Sequence, residues 1–334
     1  MKNIEIYFDF VSRPKEEIEE FAAGSKNLED FNFYDQMTKV VGFELYKNLA
    51  LKYPSIKINA INTAEINPYC CCPAYGTSTI VIKNPETAKF MIISFCDKAY
   101  YICKGGLPEL HPLYEKYKYS WGWDMDNCVK VFQPVGVQKE DIHYSPAELT
   151  YSYSPCSHIV YHQNSHNTIE QKWKDKKSIP EKLFFRGQLN TYFRKYASED
   201  PRFETTEGRV SSKEFLEEMA KHSIVIDFNS VAEISCRTIE GMGLGCAVIR
   251  PKLLIQYHNK LIPNFHYAAV DCDDLGDFKK LADAYIQKFE ELKSNPDLVQ
   301  FYSKNGRQWY EQNCKLESYI KLFINELINL DELK

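Results

Sequence analysis

The chain has 334 residues, 44% hydrophobic and 26% charged, with a formal net charge of −5. That length allows two domains with separate cores, and the composition excludes a disordered chain. The acidic balance argues against a dedicated nucleic-acid partner, which calls for a basic stripe, and no apolar run approaches the roughly 18–20 residues that span a bilayer.

The chain opens on a predicted strand, Ile4–Phe8, whose acids do not suit a secretory signal. Asp35–Leu51 reads as a helix, with Met37, Val41, Leu45 and Leu49 on one face, ended by Pro54. Ile56–Ile61 alternates as a strand does. Thr79–Lys83 and Lys89–Phe95 flank Asn84-Pro85-Glu86-Thr87, a turn sequence that predicts a hairpin. Cys128–Phe132 is a further short strand. The charged stretch within Ser165–Pro180 lacks an apolar face, which predicts a linker over 166–181 between residues 1–165 and 182–315.

The second half alternates more regularly. Strands are predicted at Leu183–Phe185, Ser223–Phe228, Cys246–Ile249 and His266–Val270. Helices are predicted at Thr191–Tyr196, Ser212–Lys221, Arg237–Met242, Leu275–Leu292 and Asp297–Gln312. Ser211 and Glu214 match a capping box, and Asp273 or Asp274 is placed to cap the helix from Leu275. This alternation indicates a parallel sheet covered on both faces. A last helix over 316–334 carries Leu316, Ile320, Phe323 and Leu327 on one side, so it docks, and the first domain is its expected seat.

Eleven cysteines, three of them consecutive at Cys70–Cys72, suit no disulfide framework and read as free thiols in a cytoplasmic protein. Cys156, His158, His162 and His166 form the one metal-like grouping. Its β-branched setting looks extended, which scatters the imidazoles. Gly241-Met242-Gly243-Leu244-Gly245 closes a helix and precedes a strand, the reverse of a dinucleotide fingerprint, so it reads as a tight turn.

In an open parallel sheet, ligands bind beyond the carboxyl ends of the strands. Three predicted segments deliver polar residues there: Arg186-Gly187, Asn229-Ser230, and the loop through Ser235 into Arg237 and Thr238, with Glu240 one turn on. A helix N-terminus joined by two Arg forks suits a diphosphate, Gly187 admits close backbone approach, and a carboxylate at Glu240 suits ribose hydroxyls. Such donors would stabilise a departing diphosphate without a metal or other cofactor.

Residues 237–249 resemble the donor-site helix-to-strand turn of GT-B glycosyltransferases, and Val210–Ile226 resembles the helix and strand before it. Leu183-Phe184-Phe185-Arg186-Gly187 is similar to the Phe-Arg-Gly strand end of family 90 glycosyltransferases and exostosin-like relatives. The resemblance spans roughly 182–315. It implies an α/β protein of GT-B type, two Rossmann-like domains facing across a cleft. It also implies transfer of a sugar from a UDP- or GDP-linked donor to a glycan or glycoprotein acceptor. Glu233 and Glu240 stand one residue closer than the Glu pair of retaining members, which favours inversion.

Inversion needs a base in the first half. Asp97, after the strand Lys89–Phe95, is the first choice, and Asp9, at the end of Ile4–Phe8, the second. Two other readings compete. Asp124-Met125-Asp126 matches the metal motif of GT-A glycosyltransferases, as does Asp271-Cys272-Asp273, and a non-catalytic nucleotide- or glycan-binding protein could keep the same fold.

Overall fold

The computed structural model describes residues 3–9, 45–53, 55–61, 79–94, 128–133, 151–153 and 163–325, the last without 188, 190, 207, 209, 229–235, 254–258, 273–275, 316 and 319. The contacts divide the chain into two units, Met1–Tyr161 with Leu316–Lys334, and His162–Lys315.

The first unit holds a six-stranded mixed sheet in the order β2-β1-β3-β4-β5-β6. Its strands are β1 (Asn3–Asp9), β2 (Ser55–Ile61), β3 (Thr79–Lys83), β4 (Phe90–Ser94), β5 (Cys128–Gln133) and β6 (Tyr151–Tyr153). β3 and β4 form the expected hairpin. At its turn the Asn84 side chain accepts from the Glu86 amide at 2.9 Å. Ile80, Val81 and Ile82 are all buried, so β3 is covered on both faces, and Leu45 and Leu49 are buried from the helical stretch 45–50. Residues 317, 318 and 320–325 are helical, with Ile320 and Phe323 buried, as their spacing predicts.

The second unit begins with α1 (Gln163–Lys172), then β7 (Leu183–Arg186), α2 (Tyr192–Glu199), β8 (Phe203–Thr206), α3 (Ser212–Met219) and β9 (Ile224–Ile226). It continues with α4 (Cys236–Gly243), β10 (Ala247–Pro251), β11 (Ala268–Val270), α5 (Phe278–Lys293) and α6 (Pro296–Asn313). β7 pairs with β8, and β9, β10 and β11 pair in that order, all parallel. β7 lies alongside β9, with the Phe185 and Phe228 rings 4.7 Å apart. The two-stranded sheet β8-β7 and the three-stranded sheet β9-β10-β11 thus lie side by side, not hydrogen-bonded to each other among the described residues, and the direction of winding reverses between β7 and β9.

Side-chain alternation assigns the faces. Ile224, Ile226, Ala247 and Ile249 join a core with Tyr285 and Phe289 of α5. Val225 and Val248, on the opposite face, meet α4 at Gly241, where a Cβ would come within 2.8 and 2.9 Å of their methyls. The next glycine, Gly243, admits the Tyr310 ring of α6 in the same way. The Gly-Met-Gly spacing thus lets α4 lie between the sheet and α6.

Two expectations need correction. The stretch 166–181 is no simple linker, because its first turns belong to α1. Thr168 and Ile169 are buried there, and the polar groups find partners: His166 Nδ1 lies 2.6 Å from the Tyr310 hydroxyl, and Glu170 takes two bonds from Arg307 Nη2. The second concerns α5, which starts at Phe278, not Leu275. Its cap is Asp277, whose side chain accepts from the Lys280 amide. The capping box of α3 forms as predicted, Ser211 and Glu214 each bonding the other's backbone amide.

Candidate functional site

The reversal between β7 and β9 makes the carboxyl ends of these strands the place where an open α/β sheet usually offers a crevice to a ligand. β7 has alternating burial and ends on Arg186 and Gly187. β9 is buried throughout and runs on into Asp227 and Phe228.

Arg186 is engaged from α3, its Nε 2.6 Å from Glu218 Oε2 and its Nη2 donating to Oε1 at 3.2 Å. Arg237, in the first turn of α4, sends Nη2 to the Arg186 carbonyl at 2.6 Å. Its guanidinium lies 4.4 Å from the Phe185 ring centroid and 5.5 Å from that of Phe215, so the fork is held by stacking as well as by a hydrogen bond. Gly187 suits this position on two counts. Its φ of +154° disfavours any side chain, and a Cβ would collide with Arg237 Nη2.

Arg194 of α2 is a component that the sequence reading passed over. It is buried, donates from Nη2 to the Phe228 carbonyl at 3.2 Å, and lies 5.2 Å from the same Phe185 ring. Burial pulls its pKa down to about 10, and the neighbouring charge of Arg237 adds to the fall. Two guanidinium groups therefore share one ring at the strand ends.

Behind them lies a buried polar group. The Thr238 hydroxyl donates to Asp227 Oδ2 at 2.5 Å and accepts from Arg250 Nη1 at 3.1 Å. Arg250 Nη1 is 3.8 Å from the same carboxylate oxygen, and all three residues are 0% exposed. Thr238 is thus placed differently from its expected role as a donor contact, since its hydroxyl points into the protein with both bonding directions used. Glu240 is also buried. Burial pushes its carboxyl up to about 7, Arg237 pulling the other way and Asp227 adding to the rise.

Of the expected site residues, the structure brings Arg186, Gly187, Arg237, Thr238 and Glu240 to one region. Asn229, Ser230 and Ser235 lie outside the described residues, as do Asp97, Asp124 and Asp126. Asp9 ends β1, but its side chain is outside the description. Cys156, His158 and His162 are also outside it, while Asp271 pairs with Lys252 at 3.2 Å. Among the described residues no three His, Cys, Asp or Glu gather as a metal site, and no helix is long and apolar enough to cross a membrane.

No protein-family model matches the sequence, and no curated protein matches it. Among solved structures it is similar to the pneumococcal O-GlcNAc transferase GtfA, solved in complex with UDP and GlcNAc, at 10% identity and a TM-score of 0.36. The likeness covers 63% of this chain and 46% of that one, so the chain spans under half the length of this neighbour.

Proposed function

We propose that the chain is a glycosyltransferase of GT-B type that binds the nucleotide diphosphate of a sugar donor at the β7–β9 crevice. The observation that carries this reading is the pairing of Arg194 and Arg237 across Phe185, beside the first turn of α4. Cations are out of place at the positive end of a helix, and two of them repel each other. A dianionic ligand there would reverse both costs, and oxygen-rich phosphates match the planar forks.

In this reading residues 182–315 hold a UDP- or GDP-linked sugar, and the first unit supplies contacts to a glycan or glycoprotein acceptor. The acceptor hydroxyl attacks the anomeric carbon, the bond from that carbon to the diphosphate oxygen breaks, and the configuration inverts. The hydroxyl proton passes to a carboxylate, Asp97 by first assignment and Asp9 by second. Charge growing on the leaving diphosphate is met by Arg237 and by α4, so no metal is required at that step. The strand end Phe185-Arg186-Gly187 supports a place near the family 90 and exostosin-like transferases.

The test is calorimetric titration of the full chain with UDP and GDP, with and without chelator, repeated on Arg237→Ala. Binding of one of them, weakened about 10- to 100-fold by the substitution as for a lost charged hydrogen bond, supports the reading. No binding of either nucleotide refutes it. Binding that chelator abolishes favours the GT-A reading through Asp124 and Asp126.

A further inference from the structure

We infer that Asp227, Thr238 and Arg250 act together as a positioning clip that fixes the rotation of α4 and so places Arg237 in the crevice; the link to donor binding rests on the function proposed above.

α4 has eight residues and few means of holding its own orientation. Ile239 and Met242 are buried, and Gly241 and Gly243 bring the helix close to its neighbours, which sets its depth. Apolar contacts are not directional, so they fix rotation only weakly. Arg307 bonds the Gly243 carbonyl at the far end of the helix, and at the near end the buried directional contact is Thr238. Its hydroxyl donates to β9 through Asp227 and accepts from β10 through Arg250, joining the helix to two adjacent strands.

Each partner is itself held. The Asp227 amide donates to the Ile249 carbonyl at 3.0 Å, and its carbonyl accepts from the Tyr285 hydroxyl at 2.8 Å. Arg250 Nε donates to the Pro251 carbonyl at 3.1 Å, and its guanidinium lies 5.7 Å from the Tyr267 ring centroid. The three side chains are fully buried, where water cannot replace a lost bond and each bond is electrostatically stronger than at a surface.

Stability alone does not account for such an arrangement. Burying an Arg and an Asp costs desolvation that their attraction does not reliably repay, and apolar replacements of similar volume are often as stable. What a satisfied buried network does supply is a single geometry. Arg237 is the residue before Thr238 in the chain. A rotation of about 20° about α4 would move a group at the helix's outer radius of about 5–6 Å by about 2 Å. A misplacement of about 1 Å is already enough to cost about 10²-fold in a positioned site.

The experiment uses full-length Thr238→Val, which keeps the shape and removes the hydroxyl, and Thr238→Ser, which restores the hydroxyl. Two quantities are read: amide hydrogen exchange over residues 237–243 and the dissociation constants for UDP and GDP. Expected for Thr238→Val are faster exchange confined to α4 and about tenfold weaker binding of the nucleotide that the wild type takes. Thr238→Ser should return both to within about twofold of wild type. If Val overpacks and the variant does not fold, Thr238→Ala gives the same reading. Unchanged exchange in α4 overturns the clip, and so does failure of Ser to rescue. Faster exchange with unchanged nucleotide affinity overturns its positioning role. A wild type that binds neither UDP nor GDP removes the donor reading instead, and the exchange data still decide whether Thr238 fixes the helix.

Discussion

Replacing Glu240 by Gln tests the electrostatics of the crevice without a ligand. Its carboxyl is fully buried on α4 and is pushed from 4.5 up to about 7, first by burial and then by Asp227, against the pull of Arg237. Between these values the folded protein holds a proton that the unfolded chain has released. Stability therefore falls as pH rises from about 4.5 to about 7 and is level on either side. At about 1.4 kcal/mol per unit, the loss across that window is on the order of 3 kcal/mol. Gln cannot ionise and escapes it. Urea unfolding of wild type and Glu240→Gln at pH 5 and pH 8 isolates this difference, because pH effects from other groups cancel. The variant should gain on the wild type by about 2.5 kcal/mol between the two pH values, because part of the loss is already present at pH 5. A gap that does not change with pH would show that burial does not dominate at Glu240. A gap that moves the other way would show that Arg237 holds the carboxylate ionised.

Gly187→Ala should unseat Arg237 and strain the backbone at φ +154°, with a cost of about 1–3 kcal/mol in stability and weaker UDP or GDP binding by calorimetry. Normal affinity would separate the Arg237 fork from nucleotide recognition. Gly243→Ala places a Cβ within 2.7 Å of the Tyr310 ring and should destabilise by about 1–3 kcal/mol in a thermal melt; an unchanged melt would mean that α4 and α6 are not tightly packed there. Asp97→Asn should leave nucleotide binding intact and lower sugar transfer by roughly 10²–10⁴-fold. Near-normal transfer would eliminate Asp97 as the base, and a retained anomeric configuration would remove the need for one.

Strands β7, β9, β10 and β11 were legible because each is a short apolar run bounded by turn residues, whereas β8, Phe203-Glu204-Thr205-Thr206, buries only Phe203 and carries no such signal; Ser211 with Glu214 marked the start of α3 through purely local chemistry. The start of α5 was less determinate, since Asp273, Asp274 and Asp277 can each cap a helix. Only the buried face of Leu281, Tyr285 and Phe289 selects the last. α1 is not legible in the sequence because, among its described residues, Thr168 and Ile169 alone are buried, and His166 and Glu170 make polar contacts to α6. In the crevice, Arg186, Gly187 and Arg237 were visible as polar residues at strand and helix ends. Arg194 was not, for a cation in a short polar helix reads as a surface group until Phe185 and Phe228 are known to lie beneath it. The sequence does carry one further signal. Asp227 closes Ile224–Ile226, and Arg250 follows Ala247–Ile249, so opposite charges follow two neighbouring apolar strands. Charges inside such runs must find partners when buried.

α4 is held by guanidinium groups at both ends, with opposite electrostatic effect. At its carboxyl end Arg307 donates from Nη1 to the Gly243 carbonyl. That guanidinium stacks 4.6 Å from the Trp173 ring centroid and 5.1 Å from that of Tyr310, while Glu170 and Glu311 take its other nitrogens. A cation there complements the negative end of the helix dipole and satisfies a terminal carbonyl, so this end is at rest without any ligand. At the amino end the fully buried Arg250 acts through Thr238 and is countered by Asp227. Arg237 and Arg194, by contrast, bring positive charge to the positive end of the dipole, an arrangement that costs free energy in the unliganded protein. Under the proposed function the asymmetry separates a structural end of α4 from a recognition end. The carboxyl end is closed by the bonds of Arg307 to Gly243, Glu170 and Glu311, whereas the amino end carries Arg237 against the dipole, a charge that an arriving anion would stabilise.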